Sequence, residues 1–133
     1  MTNKDPAITA TDGYRDSVKR AIAAYTQSEK VKSGIIWICQ VADQVAVLDG
    51  AERRQGAGLL KTLARLIADE SDLAGRITKD RRWHDIGKKI NMALVMIDSG
   101  VPQETGFHLT RALTRVTRIG GEAASVLEEY GLF

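Results

Sequence analysis

The sequence is poor in the residues most chemistry needs. Of 133 residues, one is cysteine, two are histidine, two are proline, and 5% are aromatic. A single cysteine, Cys39, excludes an internal disulfide and any cysteine cage for a metal. It sits in an apolar run and reads as a small buried hydrophobe, because nothing nearby in sequence would favour its thiolate. One free thiol fits a reducing compartment. The opening residues MTNKDPAITATDG lack the basic and apolar regions of a signal peptide, so the expected location is the cytoplasm. No apolar run reaches the roughly 18 residues that suggest a membrane span. The longest, Ile35 to Leu48, is interrupted by Gln40, Asp43 and Gln44. There is no Glu-x-x-His pair, no nucleophile elbow, no dinucleotide glycine fingerprint, and no Gly-Lys-Ser/Thr ending to make Gly56 and Gly58 a phosphate loop. No cofactor and no membrane partner are expected.

What is present is the composition of one soluble helical domain: 44% hydrophobic and 27% charged residues, with few helix breakers. Trp83 to Asp98 carries the clearest pattern. Trp83, Ile86, Ile90, Ala93, Leu94 and Ile97 fall on one face at 3.6 residues per turn, with Asp80 placed to cap the helix and Gly100 to end it. Gly13 to Lys30 reads as an amphipathic helix capped by Asp12, with Tyr14, Val18, Ala21, Ile22 and Tyr25 inward. Ile35 to Leu48 reads as a buried helix. A hairpin turning at Ala42-Asp43 is the alternative, but that pair lacks the Gly or Asn of a tight turn. Asp49 to Glu52 has the form of a capping box. The helix it starts directs Leu59, Leu60, Leu63, Leu66 and Ile67 inward and ends at Asp69 to Asp72, with a short helical turn over 72–79. Pro102 starts a helix with Leu109, Ala112, Leu113, Val116 and Ile119 inward. Gly120-Gly121 breaks it, and Ala123 to Tyr130 forms a last helix closed by Gly131. The expected fold is therefore an all-α bundle of five to six helices, oligomeric, with a flexible arm over 1–11 and a single domain over 12–133.

Charge is unevenly spread. Residues 1–72 carry ten basic and ten acidic side chains. Residues 76–118 carry nine basic and four acidic, net +5, and the tail turns acidic at Glu122, Glu128 and Glu129. An anionic partner is expected on the 76–118 half. His108, Arg111, Arg115 and Arg118 share one helical stripe beside Thr110, Thr114 and Thr117, a pattern able to grip phosphate oxygens. Arg81, Arg82 and Lys88 extend the candidate anion or nucleic-acid site. The competing reading pairs these cations with acids on a neighbouring helix.

The string His84-Asp85-Ile86-Gly87-Lys88 resembles the metal-binding signature of HD-superfamily phosphohydrolases. The resemblance covers five residues and implies His84 and Asp85 as metal ligands activating a water. The family also uses an earlier histidine, and none precedes His84 in this chain. The same residues are also explained without chemistry, by an Asp85–Lys89 pair four residues apart on a helix surface.

With few catalytic parts, the expectation is a non-enzymatic binding, scaffold or regulatory protein working through protein–protein contacts, as a homo-oligomer or with a protein partner. The alternatives are a nucleic-acid or phosphate-ligand accessory protein using the basic half, and an HD-like metal-dependent phosphohydrolase.

Overall fold

The computed structural model describes residues 6–100 and 102–133. Of the expected arm over 1–11, the first five residues lie outside the described residues. Four helices follow one another: α1 (Pro6–Ala46), α2 (Gly50–Thr78), α3 (Arg82–Asp98) and α4 (Pro102–Glu129). Short connections force each helix to return against the one before it. Each packs on the next, and α4 closes the ring on α1. The core lies on the ring's axis. Trp83, Ile86 and Ile90 of α3 meet Ile35 and Ile38 of α1, Leu60 of α2, and Leu109 and Val116 of α4 in a single cluster. Trp83 is fully buried. Burying one such large side chain stabilises the fold by about 1.5–3 kcal/mol.

The expectation of five to six helices is wrong: there are four helices and no strand among the described residues. Each expected break is carried through for a local reason. Around residues 30–34, Lys32 Nζ meets Glu29 Oε1 at 2.8 Å, three residues apart, and bridges the supposed boundary. Gly34 just beyond it is a point of contact. A Cβ there would stand 2.8 Å from Ile67 Cγ1, so its absence lets α2 approach. Residues 35–46 are thus the last part of α1 rather than a separate helix or a hairpin, and Val47 and Leu48 lie beyond its end. The stretch 35–48 is not fully buried either, since Ile36, Trp37 and Val47 are exposed.

In α2, Ser71 and Thr78 donate back to the carbonyls of Ile67 and Ala74, and Ala74 is buried, so the helix continues past Asp72. It stops where Lys79 takes a left-handed conformation at φ 57°. In α4, Gly120 packs against Ser28 of α1, where a Cβ would lie 3.0 Å from the serine Cβ. Gly120 marks a close approach of α1 and α4, Gly121 faces open space, and neither breaks α4.

The caps divide in the same way. Asp80 Oδ1 accepts from Arg82 N at 3.0 Å at the start of α3, and Gly100 and Gly131 have positive φ. Asp49 stands at the N-cap of α2 without a side-chain cap bond, and Asp12 lies inside α1. The inward assignments hold for α3 and α4. They fail at Leu59, Leu66, Tyr14 and Ile22, which are exposed.

Polar contacts tie α2 to both neighbours. The buried Gln27 amide donates to Glu70 O and Oε2 (3.2 and 3.1 Å), and Lys30 lies 3.3 Å from Glu70. The Gln27 bond, helped by Lys30, holds the Glu70 carboxyl below its ordinary value. Lys61 meets Asp98 at 2.6 Å across α2 and α3.

The glycines give a test of opposite signs. Gly121 has open space around its Cβ position. Gly121→Ala is expected to stabilise by about 0.5–1 kcal/mol in urea unfolding. Gly34→Ala is expected to destabilise by about 1–2 kcal/mol, overpacking against Ile67 outweighing the gain in helix propensity. A stabilised Gly34→Ala would show that the α1–α2 contact is looser than described.

Candidate functional site

The basic half does not form one surface. Arg82 is used structurally. Its Nε and Nη2 donate to Asp80 at 3.1 and 2.8 Å, and Nη1 donates to Glu122 Oε1 at 3.1 Å. It therefore joins the α2–α3 turn to α4. Hydrogen bonds to both acids raise its pKa, and Arg82 in turn lowers that of Asp80. Arg115 is likewise engaged. Its Nη1 lies 2.9 Å from Asp85 Oδ2, an ionic contact without hydrogen-bond alignment. Lys89 approaches the same oxygen at 3.7 Å.

The expected stripe on α4 is broken up by these contacts. Arg111 lies over the Phe107 ring at 5.3 Å, and His108 stands edge-on to that ring. Arg118 is exposed, with no ion pair among the described residues. The hydroxyls of Thr114 and Thr117 donate to the carbonyls of Thr110 and Leu113, so they are not free donors to a ligand.

Two of the expected site residues, Arg81 and His84, instead share an open groove of about 580 Å³ between α2 and α3. Arg76 and Lys79 line it as well, together with Asp72 and Asp80. Asp80 is neutralised by Arg82, which leaves an excess of positive charge. Lys88 lies one turn further along α3 and is exposed. In sequence, Arg76, Lys79 and Arg81 look like a charged run. Only the left-handed Lys79, which turns the chain, sets them around one space.

The same geometry separates the residues of the HDIGK string. His84 lines the α2–α3 groove, while Asp85 meets Arg115 of α4. Among the described residues no group of three or more His, Cys, Asp or Glu is placed to hold a metal. Cys39 is half-buried, and burial, with Asp43 adding, pushes its thiol above the ordinary value.

The other conspicuous surface is apolar. Leu59, Leu66, Leu73 and Ile77 of α2 are exposed, Leu59 at 73% and Leu66 at 57%. They repeat at seven-residue intervals with one added turn, so they share a single face. Trp37 of α1 is 53% exposed. Gly34 packs on Ile67 and Gly56 on Val45, so the antiparallel helices bring Trp37 level with Leu63 at the edge of this face. The expectation missed this face by assigning Leu59 and Leu66 to one core with Leu60, Leu63 and Ile67 and by ending the helix before Leu73. The available signal was the spacing of Leu59, Leu66 and Leu73, which is out of phase with that of Leu60, Ala64, Ile67 and Ala74.

No helix among the described residues is long and apolar enough to cross a membrane. No protein-family model, curated protein or solved structure matches the chain.

The Asp80–Arg82 pair predicts a pH dependence. A carboxylate with a lowered folded pKa stabilises in full above its unfolded value, about 3.9, and loses that contribution as pH falls through the folded pKa. Asp80→Asn keeps a capping oxygen but removes the charge. Its melting temperature is expected to lie below wild type at neutral pH, with the two curves converging as pH falls below about 4. The gap is modest because Arg82 is nearly half exposed. Curves that stay parallel would show that Asp80 does not carry the effect.

Proposed function

We propose that this protein is a non-enzymatic helical module that works through protein–protein contact. The observation that carries this reading is the α2 face of Leu59, Leu66, Leu73 and Ile77, bordered by Trp37. Isolated exposed leucines need no explanation, but a contiguous apolar row on one helix marks a contact surface. Asp85 is ion-paired with Arg115, and burial pushes the Cys39 thiol above its ordinary value. The single thiol keeps the cytoplasm as the proposed compartment.

In native extracts of the producing cell, the protein should elute in a complex larger than its own 14.5 kDa. Leu59→Glu with Leu66→Glu should shift it to monomer size while its circular dichroism stays helical. An unchanged elution profile with both substitutions in place would overturn this reading.

A second reading rests on a different observation, the rim of Arg76, Lys79, Arg81 and His84 around the α2–α3 groove. Open, and lined by Arg76, Lys79 and Arg81 against Asp72 and an Asp80 already paired with Arg82, it suits a phosphate-bearing ligand such as nucleic acid. Binding of a short fluorescent oligonucleotide should weaken steeply with salt. Lys79→Glu with Arg81→Glu should reduce it at least about tenfold at low salt. Affinity that is unchanged by these substitutions would remove the groove as the site.

A further inference from the structure

We infer that the end of the bundle where α1 and α3 finish and α2 and α4 begin holds a binding site for a free amino acid with an aliphatic side chain. The site shares no lining residue with the α2–α3 groove and lies apart from the row of leucines on α2.

The space is a cavity of about 270 Å³ lined by all four helices. Small side chains create it. Ile38, Ala42 and Ala46 follow one another at four-residue intervals on α1, so the isoleucine that fills the core gives way to alanines. Ala57 does the same on α2. The helices themselves are not slack there. A Cβ on Gly56 would stand 3.1 Å from Val45 Cγ2, so α1 and α2 are already in close contact beside the cavity. A volume of about 270 Å³ falls just below the roughly 300–1,000 Å³ of sites for drug-sized ligands, which suits a smaller molecule. Val45, Leu60 and Ile97 complete an apolar wall, and no aromatic ring lines it among the described residues. An aliphatic group is the natural filling.

Three polar side chains border the same space, and each lacks a partner. Asp43 of α1 and Arg53 of α2 are exposed, and neither forms an ion pair among the described residues, with the other or elsewhere. Thr105 of α4 is only 3% exposed, and its hydroxyl oxygen has no hydrogen-bond partner among the described residues. A buried hydroxyl in that state is costly. The buried hydroxyls of Ser71 and Thr78 avoid the cost by donating to the carbonyl four residues back.

Together these groups describe one ligand. A guanidinium fork matches a carboxylate. A carboxylate with a hydroxyl oxygen accepts from an ammonium. A plain carboxylic acid in the cavity would set its charge against Asp43, and a plain amine would set its charge against Arg53. An α-amino acid carries both charges and a side chain on a single carbon. Its carboxylate can meet Arg53 and its ammonium Asp43 and Thr105, while its side chain fills the apolar space.

The test is isothermal titration calorimetry of the purified full chain with L-leucine, L-isoleucine, L-valine and L-methionine. At least one should bind. Its deaminated and decarboxylated analogues (isocaproate and isoamylamine for leucine) should bind at least about tenfold more weakly. Arg53→Gln and Asp43→Asn alter exposed side chains and should leave the helical circular dichroism unchanged while each weakens binding at least about tenfold. Thr105→Val keeps the shape and removes the unpartnered hydroxyl. It should weaken binding yet raise the melting temperature of the ligand-free protein, which loss of a merely structural hydrogen bond would lower. Absence of binding by all four amino acids at about 10 mM overturns the site. So does an analogue that binds as tightly as its amino acid, or an affinity unchanged in Arg53→Gln or Asp43→Asn.

Discussion

Helix α2 carries more apolar surface than a ring of four helices can cover, and the rest of the molecule is arranged around that constraint. One face, with Leu60, Ala64, Ile67, Ala68 and Ala74, is buried in the bundle. The small residues on it set how closely α1 and α3 approach. Gly34 receives Ile67, Gly75 lies against Trp83, and Gly87 lies against Asp72 and Ser71. The second face, through Leu59, Leu66 and Leu73, is turned away from that core by the same rotation. Rotating α2 to bury the leucines would drive Ile67 away from Gly34 and expose the alanines that allow close packing. The open face thus follows from how the core is packed.

The polar contacts are consistent with this view. Gln27, Lys30 and Glu70 hold α1 to α2, while Arg82 with Asp80 and Glu122 and Arg115 with Asp85 hold α3 and the turn to α4. These contacts are partly exposed, and each contributes little alone. Their effect is on register: they fix how the helices slide and turn against one another. Most cations of the basic half that meet acids are used in this way, which is why an excess of positive charge in sequence yields only a small cationic groove.

The parts of the fold that were legible in the sequence have one apolar face. In α3, Trp83, Ile86, Ile90, Ala93 and Leu94 are all buried, as are Leu109, Ala112, Val116 and Ile119 in α4. For these helices periodicity alone identifies the core. α2 has two apolar faces some way round the helix from each other, and a single-core assumption merges them. Glycine was misleading for a related reason. Gly120-Gly121 is a breaker by propensity, yet Gly120 is a packing site by geometry, and only the presence of Ser28 of α1 opposite shows it. The helix count came out too high because breaking signals are read residue by residue. The helices are carried through by bonds within the turn, as at Ser71 and Thr78, and by contacts between residues far apart in the chain, as at Gly34 and Gly120.

The candidate site was legible only as composition. The excess of basic residues over 76–118 was countable, but the partition of those residues depends on which helix each one faces. Arg81 and Arg82 are adjacent in sequence, yet one rims an open groove and the other is locked between two carboxylates. His84 and Asp85 are adjacent as well, and about 100° of helical rotation sends them to different neighbours. A motif read along the chain assumes that its side chains converge, and on a helix consecutive residues diverge. The seven-residue spacing of Leu59, Leu66 and Leu73 was the stronger lead because that spacing returns side chains to the same face. Spacing that matches the helix carries information about surfaces, and here it marks an apolar seam more clearly than any string marks a reaction.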